Sequence, residues 1–323
     1  MTRAIRIHET GGPEVLRWEE IPPASPAAGE VLLRQTAVGL NYIDTYHRTG
    51  LYPLELPAIL GREAAGVVEA VGGAVDSRSV GDRVAYALEP GAYCETRVIA
   101  ADRLVALPDA IDDLTAAAMM LKGLTVQYLL RSSYHVCPGD KILIHAAAGG
   151  VGLIACQWAR ALGATVIGTV GSEQKAALAS AHGCDHPILY KEHDFVERVR
   201  DLTDGAGVQA VYDSVGRDTF AGSLDCLARR GTLVSFGQSS GPVEPFNIGA
   251  LATKGSLTLT RPTLAHFIAT AEDLAAASGE LFDLHAAGDL RIEIGRTYPL
   301  SEAAQAHRDL EARATSGSTV LLP

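Results

Sequence analysis

The chain has 323 residues, enough for two domains, and its 47% hydrophobic and 20% charged content is that of a globular protein with a substantial core. Its net charge of −11 argues against a general nucleic-acid or anionic-membrane partner. No apolar run is long enough to span a bilayer, and the opening Met-Thr-Arg-Ala-Ile-Arg-Ile lacks the apolar core of a signal peptide, so a soluble cytoplasmic protein is expected. Read in chain order, Ala4 to Ile7, Glu30 to Val38 and Ala64 to Ala70 are β-type runs, and Gly72-Gly73 and Gly81-Asp82 supply turns. Strand and helix then alternate. Strands are expected at Lys141–Ala146, Thr165–Val170, His186–Leu189, Val208–Tyr212, Thr232–Phe236 and Ser256–Thr260. Six strands with intervening helices predict a doubly wound parallel sheet. A long Ala/Leu-rich helix follows from Leu264 to Ala287, then a strand at Ile292–Thr297. Ser301 is the expected N-cap of a helix running to about Arg313, and Thr319 to Leu322 closes the chain as a strand. The closing segments are more like the first block than the middle one. The α/β middle block is therefore expected to be inserted into a discontinuous, mostly β domain, with a cleft between the two.

The most informative run is His145-Ala-Ala-Ala-Gly-Gly-Val-Gly152, placed between an apolar strand and a helix whose stripe is Ile154, Ala155, Trp158, Ala159 and Leu162. A glycine-rich turn between strand and helix suits a dinucleotide pyrophosphate, because backbone N–H groups and the positive helix end face the anion. The run departs from G-x-G-x-x-G, with Ala147 at the first glycine position. At the end of the next strand, an NAD site places an acid for the ribose 2′-OH. Here Gly171 and Ser172 stand in that place, with Lys175 one helical turn on, where a cation would meet a 2′-phosphate. This favours NADPH over NADH, although Glu173 in the first helical turn is an acid that the helix dipole alone would favour.

The five cysteines (94, 137, 156, 184 and 226) include no C-x-x-C pair, which leaves neither a disulfide framework nor a structural zinc site. Among ten dispersed histidines, His47 stands out for its two neighbouring tyrosines.

Over its whole length the chain resembles the zinc-free medium-chain dehydrogenases/reductases, and among them the zeta-crystallin-like NADPH:quinone oxidoreductases. The resemblance rests on Gly11-Gly-Pro-Glu-Val-Leu16, Asn41-Tyr-Ile-Asp-Thr-Tyr46, Gly81-Asp-Arg-Val84 and Leu121-Lys-Gly-Leu-Thr125. It continues in the glycine turn, Tyr212-Asp-Ser-Val-Gly216, Phe236-Gly-Gln-Ser-Ser-Gly241 and Thr260-Arg-Pro262. It implies a Rossmann NADPH-binding domain over 123–261, and a mostly β, co-chaperonin-like catalytic domain over 1–122 and 262–323. Zinc-dependent relatives carry a cysteine in the motif that here begins at Asn41, and Gly-His-Glu where this chain has Gly61-Arg62-Glu63. Asparagine is a poor zinc ligand and arginine is none, so no metal is expected. Without a metal to polarise a C–O bond, the acceptor should already take hydride readily, as quinones and conjugated enones do.

The resemblance also implies roles. Gly149, Gly150 and Val151 would hold the pyrophosphate, Gly171, Ser172 and Lys175 the 2′-phosphate end, and Tyr190 would lie beside the adenosine. Ser214 and Phe236, Gly237, Gln238 and Ser239 would border the nicotinamide ribose, and Thr125 would approach the carboxamide. Asn41 and Asp44 would reach the cofactor from the first domain, and Arg313 would also contact it. Tyr46 and Tyr52 would stack on a flat quinone ring and offer phenolic protons, while Arg261 would meet the reduced oxygen or a cofactor phosphate. Asn41, Tyr46, Tyr52 and Arg261 form the candidate catalytic set. Each tyrosine is equally well read as a packing aromatic, and Ser214 as a turn hydroxyl. Two alternatives remain: an NADPH-dependent reductase of α,β-unsaturated carbonyls, and an NADPH-binding structural or RNA-binding protein. A homodimer through the alternating strand at 256–260 is expected.

Overall fold

The computed structural model describes residues 2–323. The chain divides into two compact units. The first comprises Met1–Leu124, Ile268–Phe282 and Ile292–Pro323, and the second Thr125–Phe267 and Asp283–Arg291.

The first unit is mostly β. An eleven-residue strand, Glu30–Leu40, lies in the middle of a seven-stranded sheet and pairs with Glu63–Val71, Thr96–Ala100 and the C-terminal strand Ser318–Leu322. A small antiparallel sheet of Arg17–Ile21, Thr2–Ile7 and Ala58–Ile59 packs with it. The shared core holds Ile5, Ile7, Val31, Leu33, Val68, Tyr86 and Tyr93. Alternate residues of Glu30–Arg34 are buried, as expected for a strand with one covered face. Strand Glu30–Leu40 ends at Asn41, after which the chain turns into the short helix Tyr42–Arg48.

The second unit is a six-stranded parallel sheet. Its order is His186–Leu189, Thr165–Val170, Lys141–Ile144, Val208–Asp213, Leu227–Ser235 and Thr258–Thr260, or 3-2-1-4-5-6 in chain sequence. Its central strands carry apolar runs, residues 142–144 and 210–212, because helices cover both faces of such a sheet. The order reverses between Lys141–Ile144 and Val208–Asp213. This topological switch point is where ligands bind open α/β sheets, at the carboxyl ends of the strands. Helix Gly150–Ala161 buries Ile154, Ala155, Trp158 and Ala159, and Gly163 terminates it with φ +85°.

Several boundaries differ from the sequence expectation. The first sheet strand stops at Ile144, because Ala146 takes a left-handed conformation (φ 55°) that opens the glycine turn. Strand Leu227–Ser235 begins five residues before Thr232. Ser256 is left-handed (φ 58°), so the edge strand is confined to Thr258–Thr260. The expected helix from Leu264 is a single 3-10 turn, Leu264–His266, followed by helix Ala271–Ala287. Thr270 and Asp273 exchange hydrogen bonds at that second start, a reciprocal cap that resets the helix. Ser301 lies within a 3-10 turn, and Glu302 precedes helix Ala303–Glu311.

Gly152 sets how closely helix Gly150–Ala161 approaches its turn. A Cβ there would lie 2.4 Å from the Ala146 carbonyl oxygen and 2.7 Å from Ala147 backbone carbon. Gly152→Ala is expected to destabilise the protein by about 1–3 kcal/mol in urea unfolding, since backbone rather than a side chain must move. An unchanged midpoint would contradict this reading of the turn.

Candidate functional site

At the carboxyl edge of the parallel sheet, strand-end turns bring together the motifs of the second unit. Gly149 caps helix Gly150–Ala161 without a side chain, so the N–H groups of Gly150 and Val151 head a twelve-residue helix with no side-chain partner supplied from the cap. With no Cβ on Gly149, these N–H groups stay uncovered and suit a phosphate oxygen. This fits a dinucleotide pyrophosphate.

A buried polar network holds the turn from beneath. Ser223 donates to Asp213 Oδ2 (3.0 Å), so its oxygen accepts from His145 Nε2 (3.0 Å), and His145 Nδ1 accepts from Thr169 Oγ1 (3.0 Å). Burial lowers the His145 pKa, with Asp213 acting in the opposite direction, which agrees with a neutral ring. Asp213 also accepts from the N–H groups of Val215 and Gly216 and from Thr219 Oγ1. It thereby fixes the turn that carries Ser214. That turn and the next are cross-tied: Phe236 N–H donates to Asp213 O (2.8 Å) and Ser239 N–H to Ser214 O (3.2 Å). Gly237 permits this approach, since a Cβ there would lie 2.5 Å from Ser214 O. Phe236, Gly237, Gln238 and Ser239 are all half-buried along this edge.

At the neighbouring strand end, Ser172 caps helix Glu173–Ala181 by accepting from Lys175 N–H (3.4 Å), which leaves its hydroxyl proton for an anion. Tyr190 is exposed, with its ring over Gly171. At the far side, Arg261 is exposed and donates to Ser235 O (2.8 Å). Thr125 is buried near the end of helix Asp113–Tyr128. The next turn, Leu129–Ser133, is wound as a π-helix.

The remaining candidates belong to the first unit. Asn41 and Asp44 are both buried. Asn41 Nδ2 donates to Glu63 Oε1 (2.8 Å), and Asn41 N–H donates to Asp44 Oδ2 (2.9 Å). Glu63 is fully buried and also accepts from Lys122 Nζ and Leu121 N–H, each at 2.6 Å. Helix Tyr42–Arg48 thus starts from a fixed point. It presents Tyr46, whose ring lies 5.1 Å from that of Tyr52 in an edge-on contact, with His47 5.8 Å from Tyr52. Arg313 is exposed at the end of helix Ala303–Glu311 and close enough to Tyr42 for its charge to act on that phenol.

Sequence reasoning missed a second polar chain in this unit. Glu311 holds Arg48 through two bonds (2.7 and 3.0 Å), Arg48 Nη1 donates to His307 Nδ1 (2.9 Å), and His307 Nε2 donates to Tyr93 (3.1 Å). Tyr93 in turn donates to Asp44 Oδ2 (3.0 Å). Its members lie up to 267 positions apart in sequence, so no local pattern announces it. Burial, then the Arg48 charge, pushes the His307 imidazole down to about 3. Burial raises the Asp44 carboxyl to about 7 against the hydrogen bonds that favour its charge, and its Oδ1 has no partner among the described residues. In the sequence Arg62 stands out only as no zinc ligand, and its contact with His47 (2.8 Å) is not foreseen.

A carboxyl raised on folding binds a proton that the unfolded chain releases, so its contribution to stability is lost as pH rises from about 4 to about 7. His47 and His307 act in the opposite sense below pH 6.5, so the Asp44 effect must be read as a difference. The unfolding free energy of Asp44→Asn relative to the native protein should therefore rise across that window. A difference that does not vary with pH would contradict the buried neutral carboxyl.

Comparison with known proteins shows the family. Residues 27–130 match the family model described as alcohol dehydrogenase GroES-like domain, and residues 150–280 the model described as zinc-binding dehydrogenase. A quinone oxidoreductase of Pseudomonas aeruginosa is 56% identical, with all of both chains covered. A 2-haloacrylate reductase of a Burkholderia species is 48% identical over 100% of this chain and 99% of its own. The crystal structure of Escherichia coli quinone oxidoreductase complexed with NADPH superposes with a TM-score of 0.98, at 53% identity and full coverage of both chains. With both domain models matched in order and relatives aligned end to end, the chain belongs to the quinone oxidoreductase family of medium-chain dehydrogenases/reductases.

Proposed function

We propose that this protein is an NADPH:quinone oxidoreductase that works without a metal. The observation that carries the reading is the Asn41–Glu63–Lys122 cluster of the first unit, which stands where zinc-dependent relatives would gather ligands, in a chain whose second unit carries a dinucleotide-binding edge. The Asn41 Nδ2 is spent on Glu63 and its amide oxygen is a poor zinc ligand, while Arg62 offers only N–H donors. Among the described residues, no three His, Cys, Asp or Glu side chains come together as a metal site.

Bound NADPH would supply a hydride, or electrons in steps; with a hydride and one proton from solvent a quinone would become a hydroquinone. The chain's own residues bind, orient and exclude water. Gly149, Gly150 and Val151 receive the pyrophosphate; Gly171, Ser172 and Lys175 receive the 2′-phosphate, with Tyr190 beside the adenosine. Ser214, Phe236, Gly237, Gln238 and Ser239 border the nicotinamide ribose, and Thr125, Asn41, Asp44, Arg261 and Arg313 complete the cofactor contacts. Tyr46 and Tyr52 offer a ring face and phenolic protons to the acceptor, and the Arg261 charge steadies the oxygen that becomes anionic. Asn41 and Asp44 serve largely by holding helix Tyr42–Arg48 in place. The second reading, reduction of activated alkenes, is favoured by the 2-haloacrylate reductase relative.

Among the described residues, no helix is long and apolar enough to cross a membrane. We place the protein in the cytoplasm, and the charge of −11 speaks against a nucleic-acid partner. The strand Thr258–Thr260 has one sheet neighbour, which supports pairing with a second copy through that edge.

The experiment is NADPH oxidation with a panel of small quinones and enones, with NADH as control, in the native protein and in Lys175→Ala. Turnover is expected to be faster on quinones and with NADPH, and Lys175→Ala should cut the NADPH/NADH preference about tenfold or more. Faster turnover on enones would move the function to alkene reduction. An unchanged preference in the variant would remove Lys175 from the 2′-phosphate site.

A further inference from the structure

Arg62 reaches the tyrosine pair through His47, and among the described residues it has no carboxylate within salt-bridge distance. Its Nη1 donates to Leu88 O (2.9 Å) and its Nη2 to His47 Nε2 (2.8 Å), both neutral acceptors. Arg48, Arg83 and Arg103 each face a carboxylate instead, at 2.7, 2.7 and 2.8 Å. The carboxylates whose charge reaches Arg62 are engaged elsewhere. Glu89 is bonded to Arg103, and Asp44 is turned to Asn41 and Tyr93. A half-buried guanidinium without an anion is a costly arrangement, because desolvation of the charge is not offset.

The surroundings hold it there. His47 is buried, and by accepting from Arg62 it stays neutral; burial, then the arginine's charge, lowers its imidazole to about 4. Leu88, whose carbonyl anchors the other nitrogen, has φ 72°, a left-handed conformation that costs a leucine about 1–2 kcal/mol. His47 in turn packs edge-on against Tyr52, and Tyr52 against Tyr46. A fixed cation with N–H donors to spare therefore adjoins the aromatic pair proposed to receive the acceptor ring.

We propose that Arg62 recognises an anionic group on the acceptor, a carboxylate, so that this protein prefers quinones or enones that carry one. The inference rests on the reductase reading given above. Arg62 has five N–H donors, and a carboxylate accepts two of them in parallel. At the sequence position where zinc-dependent relatives carry a histidine, this chain would hold a cation that selects the substrate by charge.

The test uses a naphthoquinone bearing a propanoate side chain and its methyl ester, whose two methylenes insulate the ring from the change of charge. The native protein should show a kcat/KM about tenfold higher for the acid than for the ester, expressed in KM. In Arg62→Gln the ratio should fall to about one, and Arg62→Lys should keep part of it. Equal use of acid and ester by the native protein would overturn the proposal and leave the reductase reading intact. So would an Arg62→Gln variant that raises the KM for NADPH while keeping the acid/ester ratio, since Arg62 would then serve the cofactor. A parallel calorimetric titration uses the redox-inert naphthalene propanoate and its methyl ester. Tighter binding of the acid that is lost in Arg62→Gln supports the proposal, and equal binding overturns it. If neither quinone is reduced with NADPH, the reductase reading falls, and the titration still decides the role of Arg62.

Discussion

The buried Glu63 carboxylate organises the candidate catalytic face of the first unit. It receives the Asn41 amide, the Lys122 ammonium and the Leu121 N–H, and so joins a strand end, a neighbouring strand and the helix Asp113–Tyr128. A fully buried carboxylate is tolerable only when charge and hydrogen bonds answer it, and here three donors do so. Gly39 leaves the room: a Cβ there would stand 2.2 Å from Glu63 Oε1. Because Asn41 is held from this side and by Asp44 from the other, the short helix Tyr42–Arg48 leaves the strand in one direction. That helix carries Tyr46, and its last residues carry His47 and Arg48. The tyrosines, the Arg62 contact and the chain through His307 to Glu311 are all positioned by this anchoring.

The second unit solves a similar problem with a different acid. Asp213 lies at the end of a central strand and spends its carboxylate on the turn that follows and on Thr219 and Ser223. Through Ser223 it reaches His145, the first residue of the glycine turn. The two strand ends on either side of the topological switch are thus joined by a buried network, and the backbone donors above it are left to face an anion. Polar groups with several partners each are expensive to rearrange, which suits a site that must keep its shape when a charged ligand arrives.

Much of this was legible in the sequence, because the signals were local. The apolar strands, the stripe Ile154, Ala155, Trp158 and Ala159, the stop at Gly163 and the glycine turn each depend on neighbours within one element. Boundaries were lost where a side chain reset the backbone. Thr270 and Asp273 start a helix that hydropathy alone placed seven residues earlier, and Ser301 resembles a cap but lies in a 3-10 turn. The site was half legible. Ser172 and Lys175 stand where the sequence placed them, at the head of the helix that follows strand Thr165–Val170. The engagement of Asn41 with Glu63, the chain from Asp44 to Glu311, and the lone guanidinium of Arg62 depend on residues brought together from distant segments. Arg62 was read only as a failed zinc ligand, since residue type excludes a metal but does not reveal which carboxylates are already taken.

The central claim is that fixed hydrogen bonds and charge stand where relatives use a metal. Its most direct test is quinone reduction by NADPH after exhaustive chelation, with metal content measured on the same sample. The account predicts full turnover in protein that retains less than one zinc per ten chains, about the level of adventitious metal. Loss of turnover on chelation, restored by stoichiometric zinc, would contradict it.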